Sequence, residues 1–362
     1  MAWKRGIATG LVVSALVACA PAGGASTVPD QAAASGAAAS GAGAPQGAAP
    51  AGSAAPAGPL EKINLAIPSV AGVFIPHVVA QQQGFFREEG LDVEMPVMRS
   101  NLVTTALATG EAEYNGQFGP TVRDVLSGMP FRVIGAVVDK STRWMMAAPE
   151  IQSIEQLRGK AIAVSVIGSG PYNSGVLALE QFGIDPYSEV TWFQAGTPAE
   201  RLLAVSQGAA QASIFSASEV PRAEALGLAR LLRFEDVVPL PESGIATTET
   251  RLESQRPQIK RLLHAIVRAL QYTKTNREGT IPVFMQFLSI TRDEAAEAYD
   301  AGLYAFSDDG TVREQTLRYA IDAERQQLKM TNDVPATSVA DFGPLYEVLG
   351  EMGITPAPGS AR

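Results

Sequence analysis

The chain has 362 residues, 28 Lys+Arg against 37 Asp+Glu for a formal charge of −9, two histidines and one cysteine. With so few imidazoles and one thiol there is no intrachain disulfide, no CxxC pair and no Cys-rich zinc module, and almost no material for a His-based metal centre or a Ser-His-Asp triad. The acidic balance argues against general nucleic-acid binding, whose electrostatic footprint is a surplus of Lys and Arg.

The first 59 residues read as an address and a tether. Lys4 and Arg5 form a charged n-region and Gly6 to Ala18 a short apolar run, too short to span a bilayer as a mature helix. Leu16-Val17-Ala18-Cys19 resembles a bacterial lipobox, so residues 1–18 are expected to be a signal peptide and Cys19 the lipid-modified N-terminus of the mature chain. The alternative is an accidental cysteine in an ordinary signal peptide. Residues 20–59 hold 17 Ala, 8 Gly, 6 Pro and 4 Ser without any aromatic residue, Leu, Ile, Lys or Arg. Such a segment buries too little apolar surface to offset chain entropy, so residues 19–59 are expected to be a disordered tether with a reach of roughly 35 Å.

From residue 60 the pattern becomes globular. Lys62 to Pro68 alternates as a strand, Ser69-Val70-Ala71-Gly72 is a loop, a helix runs from Pro76 to Gln83, and Leu91 to Met95 is a second strand. Ser100-Asn101 is placed to cap a helix ending at Thr109, with Gly110 just past it, before a third strand from Ala112 to Phe118. The order then returns. Ser153-Ile154-Glu155-Gln156 has the form of a capping box, Lys160 to Val166 is a strand, Gly168-Ser169-Gly170 is a loop, and a helix runs to about Phe182. A strand at Val190 to Phe193, a capping box at Thr197-Pro198-Ala199-Glu200, a helix ending at Gly208 and a strand from Ala210 to Phe215 complete the second unit.

Two such units describe an α/β fold of two parallel-rich lobes, 60–145 with 245–362 and 146–244, facing each other across a cleft at the carboxyl ends of their strands. Phe131 to Met146 and Leu228 to Thr248 are suited to cross between the lobes. Helical periodicity at Ile259 to Tyr272, Asp293 to Phe306 and Val312 to Met330 is expected to pack on the first lobe.

The run Gly84-Phe85-Phe86-Arg87-Glu88-Glu89-Gly90-Leu91-Asp92-Val93, with Leu107-Ala108-Thr109-Gly110-Glu111-Ala112 and Leu157-Arg158-Gly159-Lys160-Ala161-Ile162-Ala163-Val164, resembles the NMT1/THI5-like solute-binding proteins of sulfonate, nitrate and thiamine-precursor ABC transporters. The resemblance covers most of residues 62–250. It implies a type II periplasmic-binding-protein fold, two lobes joined by a two-strand hinge that closes around a small molecule. It further implies a non-catalytic, SsuA-like solute-binding component outside the cytoplasmic membrane, without cofactor or metal, monomeric, partnered by a permease and held to a membrane through its lipid. The alternatives are a sensory or adaptor module using the same cleft, and an enzyme of the thiamine-precursor type. That enzyme's cysteine-rich iron motif is absent, because no cysteine stands beyond Cys19.

The residues themselves carry the site expectations. Gly168-Ser169-Gly170 follows a strand as a dinucleotide loop does, but Asn173 stands where GxGxxG requires its third glycine, so it reads as a helix N-terminus offering N–H groups to an anion or polar head. Phe74, Trp144, Tyr172 and Phe215 are candidates to wall the cleft, and Ser69, Asn101, Gln117, Ser169, Thr197 and Ser216 to supply hydrogen bonds. Arg143, at the crossing, is the candidate clamp for a carboxylate or sulfonate, or else a surface arginine paired with Asp139. His77 lies near the Ser69 loop, where it either reaches the cleft or is structural, and His264 reads as structural. Few charged residues fall at the predicted strand ends, which favours an organic sulfonate, an aromatic carboxylate or a pyrimidine over polyamines and metal ions.

Overall fold

The structure, a computed structural model, describes residues 58–362; the expected signal peptide, Cys19 and nearly all of the tether lie outside them. Ten strands form two five-stranded sheets. The first sheet is ordered β2-β1-β3-β10-β4, from Leu91–Glu94, Glu61–Ala66, Tyr114–Gln117, Ser243–Thr248 and Phe131–Val138. The second is ordered β7-β6-β8-β5-β9, from Thr191–Gln194, Ala161–Val164, Ala212–Ser216, Arg143–Ala147 and Ala229–Arg233. The two orders are the same pattern. In each sheet three parallel strands come from a βαβαβ unit, and the fourth is the strand on which the chain arrives from the other sheet, antiparallel to its neighbours. The sequence echo between Gly110 and Gly208 has a backbone counterpart, since both follow a helix with φ near +77° (77° and 76°), a conformation that only glycine adopts without strain.

Alternation along β5 distributes its side chains to two layers. Met145 and Ala147 face Leu177, Ala178 and Leu179 of helix Gly170–Gln181, whereas Met146 joins Ala163 and Phe215 against Leu202 and Val205 of helix Pro198–Ser206. Gly175 lets helix Gly170–Gln181 lie close on its sheet: a Cβ there would stand 2.7 Å from Ile214 and 2.8 Å from Trp192. The first sheet is covered chiefly by the tail, where Leu262, Leu263 and Ile266 of helix Arg256–Thr275 pack with Leu65, Val133 and Ile245. One tail helix departs from expectation. Glu314–Gln327 puts Leu317, Ala320 and Ile321 into the first core, but its Ala323 and Tyr319 pack with the second sheet's cluster, and Arg123 of the first unit bonds Glu324 at 2.7 Å.

Sequence patterning reads the chain after residue 250 as helical without bounding Glu249–Ser254, Arg277–Leu288 or Gly343–Glu351, and it missed helices Gly119–Leu126 and Val220–Ala225. Arg277–Leu288 carries Pro282 in its interior, which the pattern reads as a stop, and Val220–Ala225 and Glu249–Ser254 are six residues each. The expected cap at Ser100-Asn101 is corrected as well: the cap position falls on Arg99 without a side-chain bond. Ser153 likewise introduces a 3₁₀ turn without donating or accepting a capping bond.

The chain crosses between sheets at 139–142 and again just before β10, and Glu242 ties the two crossings. Its carboxylate is almost fully buried and accepts from Ser141 Oγ at 3.0 Å, Thr142 N at 3.0 Å, Thr142 Oγ1 at 2.7 Å and Arg143 Nη1 at 2.7 Å. Glu242 N donates to Val138 O at 2.9 Å, and Tyr304 Oη to Ser141 O at 2.9 Å. A carboxylate taken out of water is tolerable only with donors on its lone pairs, and here four are supplied.

His77 is fully buried beneath β10, with Nε2 3.1 Å from the Gly244 carbonyl and no donor facing Nδ1. Burial outweighs the Gly244 and Phe74 backbone and lowers its pKa to about 4. It therefore belongs to the core and does not reach the cleft.

Three outcomes follow. Glu242→Ala removes the buried acceptor of four hydrogen bonds and should cost about 1–3 kcal/mol in denaturant unfolding. Gly175→Val overpacks the helix against Ile214 and Trp192 and should cost about 1–3 kcal/mol or more. The folded state resists protonating His77 while the unfolded chain accepts the proton below its ordinary 6.5, so stability present above that pH is lost on acidification. Between pH 7 and pH 5 the loss from this group should be about 2 kcal/mol, and unfolding of His77→Gln followed over that range should lack it.

Candidate functional site

The parallel strands of each sheet end in loops on the same side, and the antiparallel strands begin there. Ser243, the first residue of β10, pairs with Gln117 at the end of β3, and Arg143, the first of β5, pairs with Ser216 at the end of β8. The loops of the two sheets meet: a Cβ on Gly72 would stand 3.9 Å from Ser218 Oγ. A cavity of about 20 Å³ remains there, bordered by Gly72, Val73, Thr142, Ser216 and Phe284, which is room for a single water. A larger surface groove, about 770 Å³, runs along Arg313, Arg318, Tyr319 and Pro358, and none of its lining residues comes from a strand end.

Arg143 is the polar centre of the strand ends. Its side chain is 20% exposed and bonds Glu242, not Asp139, whose partner is Lys140 at 3.3 Å. The guanidinium lies against the start of helix Gly170–Gln181: Nη1 is 3.5 Å from Ser174 Oγ, and a Cβ on Gly170 would be 3.1 Å from Nη2. Glycine at 170 therefore makes room for this approach. A cation at a helix N-terminus is disfavoured by the dipole, so this corner of the site is electropositive beyond what Glu242 neutralises.

Arg201 was not legible as a site residue. It sits in the first turn of helix Pro198–Ser206, 4% exposed, with Nη1 donating to Gly196 O at 3.0 Å, Nη2 3.8 Å from Glu219, and its guanidinium carbon 5.4 Å from the centre of the Phe215 ring. Its Nε is buried without a partner. Burial, set against Glu219 and reinforced by repulsion from Arg143, lowers its pKa. Glu219 is committed elsewhere, accepting from Ser216 N at 2.8 Å and Ser216 Oγ at 3.0 Å. The available signal was a cation in a first helical turn, the electrostatically wrong end. The second signal was Ser216-x-x-Glu219, a capping box on the strand end. Glu219 and Glu242 also correct the expectation that few charges fall at the strand ends.

The remaining candidates divide. Ser216 stands beside Arg143 and Arg201, with Ser218 Oγ 3.0 Å away. Ser169 precedes helix Gly170–Gln181, its hydroxyl 3.0 Å from that of Ser165 rather than on the helix N–H groups. Thr197 spends its hydroxyl on the capping box with Glu200. On the first sheet Ser69 and Asn101 are exposed, and Gln117 is buried, with Nε2 bonded to Ser100 Oγ and Oε1 without a partner. Trp144 points to the opposite face from Arg143 and carries Arg230 over its ring at 5.0 Å; Phe215 is in the core beneath Arg201. Tyr172 packs edge-on against Trp192 at 4.8 Å, and Phe74 is buried beside Gly116 and His77. His264 bonds Glu89 at 2.7 Å, away from both sets of strand ends.

Among the described residues no helix is long and apolar enough to cross a membrane. No curated protein matched the sequence. Solved structures are similar in fold. The periplasmic aliphatic sulphonate binding protein SsuA from Escherichia coli superposes with a TM-score of 0.65 at 17% identity, over 78% of this chain and 92% of that one. The periplasmic nitrate-binding protein NrtA from Synechocystis PCC 6803 gives 0.63 at 12%, over 81% and 89%. A DszB mutant in complex with biphenyl-2-sulfinic acid gives 0.57 at 14%, over 80% and 99%. The fold is thus the two-lobed one of periplasmic binding proteins. A model of the NMT1/THI5 like family matches residues 71–279, more than half of the sequence, and the chain belongs to that family.

Proposed function

We propose that the protein is the solute-binding component of an ABC importer, taking a small organic solute with an anionic group between its lobes and delivering it to a permease. The observation that carries this reading is Arg143, which the second crossing's Glu242 holds at the strand ends, against a helix N-terminus that glycine leaves open. An oxyanion there would accept guanidinium N–H bonds and face the positive end of a helix dipole, two effects of the same sign. Near the strand ends stand apolar side chains about half exposed, Val70 and Leu102 on the first lobe and Val166 and Ile167 on the second. Those side chains suit a solute with an apolar body beside its anionic group, such as a sulfonate or carboxylate. We also propose that residues 1–18 are a signal peptide, that Cys19 carries the lipid, and that 60–145 with 245–362 and 146–244 are the moving lobes, which places the protein at the outer face of a membrane.

The test is a thermal-shift screen of the purified full chain, with native mass spectrometry of the same preparation. A solute that binds only the folded state adds about 2.7 kcal/mol at a hundred times its dissociation constant, on the order of 5 °C for a chain of this size. Gly170→Val should abolish that response by crowding Arg143 while removing no charge. An unchanged response in Gly170→Val would place the solute elsewhere.

A further inference from the structure

We infer that the turn Ala217–Glu219, which follows the end of β8, is a latch that holds the two lobes together before any solute arrives, and that a solute enters only when this turn leaves its pocket on the first lobe. The inference goes beyond the solute reading and is independent of what the solute is.

The turn belongs firmly to the second lobe. It begins at Ser216, whose backbone pairs with Arg143, and a capping box closes it: Glu219 accepts from Ser216 N at 2.8 Å and from Ser216 Oγ at 3.0 Å. The helix that follows sends Val220 and Ala223 into the layer of Met146 and Phe215. A turn tied at both ends moves with its lobe.

Its outer face meets the other lobe. Helix Arg292–Gly302 packs against the turn, and Ala217 and Ser218 border a common cavity with Gly72, Phe284, Ala298, Gly302 and Phe306. Ala217, Phe284, Ala298 and Phe306 are each 3% exposed or less. Small residues on both sides permit the close approach, and two phenylalanine rings frame it. Phe284, Ala298, Gly302 and Phe306 all follow residue 279, so the receiving pocket is built mostly outside the segment that the family model matches.

The chemistry of this contact makes it releasable. Among the described residues, no salt bridge or hydrogen bond joins the turn to helix Arg292–Gly302, so withdrawal strands no charge and breaks no polar pair. Its cost is the small apolar area alone. The other ties between the lobes are polar: Glu242 binds the crossings with four hydrogen bonds, and on the opposite face of the second sheet, where Tyr319 and Ala323 pack, Gln326 Nε2 donates to Glu180 at 3.4 Å. A latch that is shut beforehand tightens binding between the closed lobes, because apparent affinity scales with the closed fraction, and it makes entry wait on opening.

The test needs no solute. A Cβ on Gly72 would lie 3.9 Å from Ser218 Oγ, the place that a cysteine sulfur would take, so Gly72→Cys with Ser218→Cys in a Cys19→Ser background of the full chain brings two thiols within a small shift of disulfide geometry. Oxidation should join them, and the radius of gyration from small-angle X-ray scattering should be the same before and after. A radius that falls on oxidation would mean that the lobes stand apart, and no disulfide would mean that they do not meet there; either result overturns the latch. Ala217→Asp, or Ala298→Asp on the other side of the pocket, places a carboxylate that only withdrawal can hydrate. Each should enlarge the radius while keeping a cooperative unfolding transition, and combined with the cysteine pair should lower the disulfide yield about tenfold. A lower melting temperature with an unchanged radius in both variants would make the contact a permanent interface and overturn the inference. With no solute present, none of these outcomes bears on the solute reading.

Discussion

The structure depends on a single buried carboxylate. Glu242 lies on the second crossing and collects its donors from residues 141 to 143 on the first, a hundred positions earlier in the chain. Two strands that merely pass between lobes would leave their relative placement to loop entropy. Four hydrogen bonds to one ion fix it, and the same bonds aim Arg143 at the strand ends. Stability of the hinge and geometry of the site are therefore one arrangement: hinge residues hold the ion, the ion holds the arginine, and the arginine faces the helix start that Gly170 exposes. The segments free to absorb a hinge rotation are correspondingly short.

The second lobe is built asymmetrically from the first. Arg143 and Arg201 stand near its strand ends and helix starts, while the corresponding places on the first lobe hold Ser69, Asn101 and Gln117, with Gln117 Oε1 unpaired and Arg99 exposed at the cap of helix Ser100–Thr109. Helix Glu314–Gln327, touching the first core with Ile321 and the second with Ala323, lies where any change in the angle between lobes must be felt.

Much of this was legible in the sequence, for reasons that are local. Alternating strands, glycines after helices and the Thr197 capping box are set by neighbours within four residues, so both βαβαβ units and the two-lobe fold could be read directly. The crossing segments were legible because extended, apolar runs between the units have few other uses. What could not be read is pairing at a distance. Arg143 was found as a cation, but its partner lies 99 residues on, and nothing near Glu242 marks it. Which way the aromatic candidates face was unreadable for a related reason: alternation along β5 puts Trp144 on the face opposite Arg143, and the register belongs to the sheet. Arg201 did carry a local signal, a positive charge in a first helical turn, and reading helices for charges at the wrong end would have found it.

The most direct measurement is a crystal structure of the full chain with the solute that it retains through purification. The account predicts an oxyanion group within about 3 Å of the Arg143 guanidinium, between the two lobes, with the Glu242 bonds intact. A solute lodged in the groove beside Arg313 and Arg318, with Arg143 engaged by Glu242 alone, would contradict it.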